Sequence, residues 1–445
     1  MDYNSIKYYT DKFYLLLDDF SLDDFKYFES DTELDKRLAA YLHEYYHYLT
    51  NITTYSGIRQ FNVSVPDYDR LITRLSFIGG IDAFPVHSNN DPNCKVEVDY
   101  WKDVKELMKL ENYSDESHKY LNLDNYRVNR LLLRSHPMSC VVNGKTVQGT
   151  VNRCYAEIDS HMKPYDVYLS LYVIDEFLSS SIDRFLFENN LVDNYSILQK
   201  QSFYPYGLYD AICASYGLYP SNRDKILISY CALHSHNPGE RLKEILEAIS
   251  TNNQAFNENS EAFLHQFIRD YFTQVQGLLD YQKLFIDECQ QQYRRVLASV
   301  STQLWNLSKK ALSFLKRDYF FFVRPFMHTF EAQEDTLTML ALLKSIRDEM
   351  KEPLILQNKK LLNPQRDFYK DSLAILLAIY EVSDSLYEHR IAQRIYRNKY
   401  TYPIESQDND LLTNIPIQPP IIETWHVALN ELGLIKLYMP LICGK

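Results

Sequence analysis

Two histidines and a glutamate within five residues form the pattern in this chain with the clearest chemical meaning. His43-Glu44-Tyr45-Tyr46-His47 is an HExxH string. Residues four apart on an α-helix lie about 40° apart around its axis, so the two imidazoles would point the same way. Imidazoles at this spacing can bind one zinc ion. Glu44 would stand beside that ion, where a carboxylate can act as general base towards water that the metal acidifies.

The residues around this string predict that it lies on an amphipathic helix over residues 32–57. Apolar residues recur there every three or four positions, namely Leu34, Leu38, Leu42, Tyr45, Leu49 and Ile52. The two histidines fall nearly opposite this stripe, among small side chains that leave room for a metal and a substrate. Gly57 is the expected end of the helix. The alternative is that both histidines are ordinary residues of a polar face or of the core.

A zinc site on HExxH needs a third protein ligand from elsewhere in the chain. A metzincin would continue with a glycine and a third histidine where Thr50 and Thr53 stand here, which excludes that class. We predict that Glu176 completes the site, from a second helix over residues 165–188. The alternatives, which the sequence does not rank among themselves, are Asp175, Asp183, Glu157 and His161.

The neighbours of Glu176 predict how the site is supported. Ser180 and Asp183 share its helix face, and Asp183 could accept a hydrogen bond from a ligand histidine. The alternative is that the carboxylates form a solvated stripe. An oxyanion-stabilising residue is not identified among the 37 tyrosines; His234 and His236 are candidates, although lone loop histidines are mostly not catalytic.

The segment LHEYYHYLTNITTYSG resembles the HExxH helix of zincin-type metallopeptidases, and IDEFLSSSID resembles the glutamate helix of the gluzincin group. The arrangement is also similar to uncharacterised bacterial HExxH proteins. The resemblance covers roughly residues 30–190. It implies His43, His47 and Glu176 as zinc ligands and Glu44 as general base. The gluzincin pattern has a carboxylate four residues after the glutamate, where this chain has Ser180.

Composition favours a soluble, cytoplasmic protein. The 59 Asp and Glu residues outnumber the 47 Lys and Arg residues, and the net charge of −12 makes nucleic acid an unlikely partner. The seven cysteines include no CxxC pair and indicate reduced thiols. The N-terminal sequence lacks the features of a signal peptide. No apolar run reaches the roughly 18 residues that span a membrane, so we expect no membrane association.

The predicted architecture is mainly α, with a small β-hairpin around Asn143-Gly144. Residues 1–250 are expected to form a zincin-like catalytic region, and residues 251–445 a helical region of unknown role. Helical patterns in the second half of the chain cover 222–233, 239–249, 260–316, 335–350, 367–388 and 424–438. The run over 260–316 is expected to break into two or more helices.

These patterns predict a zinc-dependent protease that hydrolyses peptide bonds of a specific protein, with a regulatory protein as a possible further partner. One alternative is a non-enzymatic interaction protein built on a zincin scaffold, with the helical half as its binding surface. Another is a metal-dependent hydrolase of a non-peptide substrate, because HExxH geometry activates water whatever the electrophile.

Overall fold

A computed structural model describes residues 6–9, 14–17, 36–62, 128–142, 145–158, 165–189, 206–291, 295–327, 333–351, 353–357 and 360–362. This part of the chain is mainly helical and carries two small sheets, which confirms the predicted mainly-α class with a hairpin element. Among the described helices, none has the length and apolarity needed to cross a lipid bilayer.

The helices are α1 (Lys36–Thr53), α2 (55–62), α3 (Leu171–Glu188), α4 (Leu208–Ser215), α5 (Asn222–Leu233), α6 (Pro238–Thr251), α7 (Asn253–Glu258), α8 (Ser260–His265), α9 (Tyr271–Gln291), α10 (Arg295–Leu315) and α11 (Gln333–Met350). The strands are β1 (Ile6–Tyr9), β2 (Tyr14–Leu17), β3 (Val128–Val142), β4 (Lys145–Ile158), β5 (Tyr165–Tyr168), β6 (Leu354–Gln357) and β7 (Lys360–Leu362).

Helix α1 carries the HExxH string and buries the predicted apolar stripe from Leu42 onwards. Tyr45, Leu49 and Ile52 are each at most 2% exposed. The prediction that Gly57 ends this helix is wrong, because α1 ends at Thr53 and the chain bends before continuing as α2. Gly57 has another role: a Cβ atom there would lie 2.3 Å from the Thr50 carbonyl oxygen. The bend therefore requires a residue without a side chain at this position.

The predicted hairpin is present as β3 and β4, which pair antiparallel with Val142 opposite Lys145. Strand β5 adds a third strand beside β4. The prediction of one helix over residues 165–188 is therefore corrected at its start, because residues 165–168 are extended and the helix begins at Leu171. The reason is that residues 165–168 pair with β4, and the alternation in YDVY then buries Val167 on the sheet.

The second sheet was not predicted. Its strand order is β1-β2-β6-β7, and β2 pairs parallel with β6 across more than 330 residues of sequence. Strand β1 pairs antiparallel with β2 and lies at one edge of the sheet, beside α1. These short strands carry little periodic signal, so only the long-range pairing makes them recognisable.

Elements beyond residue 251 support the back of α1 through tyrosine hydroxyl groups. Tyr46 donates to the Phe322 carbonyl at 2.8 Å, and Tyr48 donates to the Met350 carbonyl at 3.0 Å. Tyr271 on α9 in turn donates to the Thr53 carbonyl at the end of α1. The division of the chain at residue 250 stays a prediction, but the motif helix is held from both sides of that position.

The helices of the second half largely follow their sequence patterns. Helix α5 spans the predicted residues 222–233, and the run over 260–316 is divided into α8, α9 and α10. Ser221 caps α5 by accepting a hydrogen bond from the Asp224 backbone N–H, which explains the sharp start of that helix. The predicted helices over 367–388 and 424–438 lie outside the described residues, as do the first residues of the predicted 32–57 helix.

Candidate metal centre

Helices α1 and α3 pack together and place three potential metal ligands at their contact. The Nε2 atom of His43 lies 3.6 Å from Glu176 Oε2, and the Nε2 atom of His47 lies 3.8 Å from Glu176 Oε1. One ligand atom from each of the three residues falls within 4.8 Å of the others. Two imidazoles one turn apart on one helix thus face a carboxylate on the other.

The donor set and its spacing fit a divalent metal ion. Ligands of a tetrahedral zinc ion lie about 2.0–2.1 Å from the metal, and therefore roughly 3.3 Å from one another. The observed separations of 3.6 and 3.8 Å between nitrogen and oxygen atoms are only slightly longer. Imidazole nitrogen with carboxylate oxygen is a donor combination that zinc accepts readily.

The second ring nitrogen of each histidine is held by an aspartate from α3. His43 Nδ1 lies 2.8 Å from Asp183 Oδ2, and His47 Nδ1 lies 2.7 Å from Asp175 Oδ2. An ionised carboxylate only accepts hydrogen bonds, so both Nδ1 atoms carry the proton. This leaves each Nε2 atom as the one that can bind a metal, as in carboxylate–histidine–metal arrangements generally.

Both aspartates are themselves held by hydroxyl groups. Thr50 Oγ1 donates to Asp175 Oδ1 at 2.7 Å, from the helical turn that follows His47. Tyr206 donates its phenolic hydrogen to Asp183 Oδ2 at 3.0 Å, on the same oxygen atom that His43 contacts. Each histidine therefore stands at the end of a short chain of hydrogen bonds, which fixes the orientation of its ring.

Glu44 lies beside this cluster and is anchored by the N-terminal strand. Its Oε2 atom accepts a hydrogen bond from the Tyr8 backbone N–H on β1, with 2.6 Å between nitrogen and oxygen. A carboxylate has two oxygen atoms with about four lone-pair positions, so Oε1 can still accept a proton. Strand β1 thus fixes the Glu44 carboxylate and leaves its Oε1 atom available to accept a proton.

The site is more open on one side than on the other. The side chains of His43 and Glu176 are each 16% exposed, whereas those of His47 and Asp175 are 4% and 3% exposed. The cluster is therefore closest to solvent on the side of His43 and Glu176. His47 and Asp175 form the buried wall of the cluster.

The carboxylates raise the pKa of both histidines. Burial alone would lower the pKa of His47, but the charges of Asp175 and Glu176 and the bond to Asp175 raise it to about 9. Burial likewise opposes protonation of His43, yet Asp183 and Glu176 hold its pKa well above the ordinary value. The carboxylates that stabilise a proton on these rings would equally stabilise a bound cation.

The two glutamates differ in acidity. Burial would raise the pKa of Glu176, but the neighbouring His47 and His43 lower it to about 2. Burial raises the pKa of Glu44, and the two histidines and the Tyr8 amide offset this only in part. Glu176 is thus poised to remain ionised as a ligand, while Glu44 is the better proton acceptor of the two.

Tyr172 is a further phenol at the site. It lies one helical turn before Glu176 on α3, and its side chain hydrogen-bonds to the Glu176 carboxylate. The charge of Glu44 also contributes to the raised pKa of Tyr172, after burial and the effects of Glu176. Its side chain therefore lies beside the candidate ligand and within electrostatic range of the candidate base.

Other predicted residues lie elsewhere. Glu157 is exposed on β4, and His161 lies outside the described residues. Ser180, predicted to support a ligand, instead donates its hydroxyl hydrogen to the Phe177 carbonyl at 3.1 Å. The serine hydroxyl that lies beside the cluster is that of Ser179, 3.4 Å from His47 Nδ1.

The two loop histidines show no link to the cluster in the described part of the chain. His234 is 3% exposed and stacks edge-to-face between the rings of Tyr230 and Tyr271. Neither of its ring nitrogens has a hydrogen-bond partner there. His236 is exposed, and its backbone carbonyl accepts a hydrogen bond from Arg59.

Sequence reasoning missed several residues of the site. Asp175 was considered only as a ligand, although its place beside Glu176 makes it a natural second carboxylate at the helix contact. Thr50 carried a usable signal, because it follows His47 by three residues and so shares its face of α1. Tyr8 and Tyr206 carried none, since each comes from a distant element.

Comparisons with protein-family models, curated protein sequences and solved structures match nothing to this chain. Its class is therefore defined by its fold and site alone. It is a mainly helical protein with a His-His-Glu cluster between two packed helices, and each histidine of that cluster is backed by an aspartate.

Proposed function

We propose that this protein is a zinc-dependent protease, with His43, His47 and Glu176 as metal ligands and Glu44 as general base. One observation carries the proposal: both Nε2 atoms face the Glu176 carboxylate while both Nδ1 atoms are occupied by aspartates. Ordinary polar helix faces would not direct five side chains from two helices in this way. The resemblance of the HExxH helix to zincin-type metallopeptidases agrees with this assignment.

Zinc bound by these ligands would supply Lewis acidity, which lowers the pKa of water and polarises a carbonyl group. Glu44 would accept the proton of the attacking water and return it to the departing amine nitrogen. The Tyr8 amide keeps the Glu44 carboxylate from rotating away.

Tyr172 is the phenol that we propose for contact with a reacting carbonyl, towards which its hydroxyl hydrogen would have to turn from the Glu176 carboxylate. It lies near both Glu176 and Glu44, on the helix that contributes the third ligand. A hydroxyl donor aimed at a developing oxyanion typically contributes about 10²–10³-fold in rate. We assign this role to Tyr172 and leave His234 and His236 outside the mechanism.

The test combines metal content with cleavage. The purified full-length chain is loaded with zinc, its metal content is measured by mass spectrometry, and it is incubated with a mixed peptide library. Glu44→Gln should keep bound zinc and lose cleavage, because the amide cannot accept the proton. Glu157→Gln is the matched control, since Glu157 is an exposed glutamate on β4 and should change neither property.

Three results would contradict the proposal. If the wild-type chain binds no zinc, the proposed metal site is wrong. Bound zinc without any cleavage, including of folded protein substrates, would favour the interaction protein or a non-peptide hydrolase. Full cleavage by the Glu44→Gln variant would remove Glu44 from the mechanism.

A further inference from the structure

Tyr206 is a residue of the metal centre that no sequence pattern reveals. It precedes α4 and lies 23 residues after Asp183, and its hydroxyl group reaches Asp183 Oδ2 at 3.0 Å. The same oxygen atom contacts His43 Nδ1 at 2.8 Å. Two donors from different elements therefore converge on one carboxylate oxygen, directly behind a candidate ligand.

We propose that Tyr206 is a positioning residue for the metal centre, which acts by holding Asp183 so that Asp183 holds His43. This inference rests on the proposed zinc site. On this inference, the segment that leads into α4 affects metal affinity, although that segment supplies no ligand.

The two aspartates differ in how much support they need. Asp175 is 3% exposed and is held by the surrounding core and by Thr50. Asp183 is 17% exposed, so water competes for its oxygen atoms and its side chain has more freedom to rotate. A second donor on Asp183 opposes that rotation and keeps Oδ2 aligned with His43 Nδ1.

Tyr206 is in turn held by charged side chains. The Arg184 guanidinium lies 5.3 Å from the centre of the Tyr206 ring, which is within cation–π range. Arg184 also pairs with Asp210 on α4 at 2.6 Å, and Lys225 on α5 pairs with the other oxygen of Asp210 at 2.6 Å. These ion pairs fix the start of α4 against α3, and they thereby fix the Tyr206 side chain.

The test compares two hydroxyl deletions in the same region of the chain. Tyr206→Phe removes the donor to Asp183 and keeps the ring. Tyr209→Phe is the matched control, because the Tyr209 hydroxyl serves the Lys225 carbonyl and Ser229 rather than the cluster. Zinc affinity is measured for both full-length variants by competition with a chromophoric chelator, and unfolding of the metal-free chains is followed in parallel.

We expect Tyr206→Phe to weaken zinc affinity about tenfold, which is at the lower end of the effect of such outer partners. Tyr209→Phe should leave zinc affinity within about twofold, even where it lowers the melting temperature. A second measurement needs no metal: the His43 Nδ1–H proton should resonate downfield in NMR spectra, and Tyr206→Phe should speed its exchange with solvent.

The outcomes separate this inference from the proposed function. If the wild-type chain binds no zinc, the proposed function fails, and the His43 proton alone decides whether Tyr206 positions Asp183. If the wild-type chain binds zinc, while Tyr206→Phe matches its affinity and leaves the His43 proton unchanged, Tyr206 has no positioning role. An equal loss of zinc affinity in Tyr209→Phe would also contradict the positioning role of Tyr206, because both losses would then come from general destabilisation of the fold.

Discussion

The two histidines of the cluster each use their ring nitrogens for different purposes. Nδ1 is engaged by an aspartate, which leaves Nε2 directed at Glu176. Residue types and spacing predicted that His43, His47 and Glu176 lie together, and the structure brings these side chains into one cluster. Their role as metal ligands stays a prediction. The sequence also predicted that Asp183 could accept a hydrogen bond from a ligand histidine, and His43 makes this bond. It did not predict that Asp175 supports His47 in the same way, because it does not reveal how α3 is rotated against α1.

Asp175→Asn should weaken zinc affinity by about 10- to 100-fold, because an amide is a poorer acceptor for the His47 Nδ1–H group and can present its own N–H instead. The site keeps its three ligands, so metal should still bind at high concentration. Chelator competition measures the effect. Asp280→Asn, at an exposed position of α9, is the control and should bind zinc as the wild-type chain does. Equal affinity for the two variants would exclude Asp175 as a support of His47.

At the scale of elements, the bend between α1 and α2 depends on the close approach of the two helix backbones at Gly57. A Cβ atom at Gly57 would lie 2.3 Å from Thr50 oxygen and 2.4 Å from Asn51 Cα, both backbone atoms. Gly57→Ala should therefore force the two helices apart and destabilise the fold by about 3 kcal/mol. Denaturant unfolding of the purified chain measures this change.

Gly277→Ala is the matched control for that experiment. Gly277 lies within α9, is exposed, and has nothing within 4 Å of an added Cβ atom. Alanine in a helix interior should stabilise the protein there by roughly 0.5–1 kcal/mol. Similar effects of the two substitutions would contradict the close approach at Gly57.

His234, at the end of α5, predicts a specific loss of stability in acid. Burial lowers its folded-state pKa to about 3, whereas in the unfolded chain it has the ordinary value of about 6.5. The unfolded state therefore binds a proton first, and stability falls as pH drops below about 6.5 until the folded pKa is reached. Between pH 7 and pH 5 this should cost about 2 kcal/mol.

His234→Phe should remove this part of the pH dependence. Urea unfolding at pH 7 and pH 5 gives the measurement, and the wild-type chain should lose about 2 kcal/mol more than the variant. His236→Phe, two residues along and exposed, is the control and should retain the acid sensitivity. If wild-type and His234→Phe chains lose equal stability, His234 is not the buried neutral group that we describe.

Element prediction succeeded where the signal was local. The Asn-Gly hairpin and helix α5 follow from turn chemistry and helical patterns within a few residues. The start of α3 was misread, since four residues of alternating pattern before a long helix look helical when β4 is not considered. The sheet of β1, β2, β6 and β7 depends on pairing between distant segments and has no local signature.

At the scale of the whole molecule, the described elements between residues 295 and 351 support the motif helix. The hydroxyl groups of Tyr45, Tyr46 and Tyr48 donate to carbonyls at Lys351, Phe322 and Met350. Helix α10 also packs against α1. The region beyond residue 251 had no role assigned from sequence, because tyrosines on an apolar stripe do not reveal which distant backbone they bind.

A fragment of residues 1–250 should therefore fail to fold cooperatively. Removing the rest of the chain would expose the buried face of α1 and leave its tyrosine hydroxyl groups without their carbonyl partners, each at a cost of about 1–3 kcal/mol. Circular dichroism during heating measures the transition. A sharp unfolding transition with zinc binding retained would show instead that the predicted catalytic region is independent.

The most direct test of the metal centre is anomalous diffraction at the zinc absorption edge from crystals of the full chain grown with zinc. We predict one peak about 2.0–2.1 Å from the Nε2 atoms of both His43 and His47, and about 2.0–2.2 Å from a Glu176 oxygen. A map with no peak there after zinc soaking, or with His43 and His47 bound to separate ions, would contradict the account.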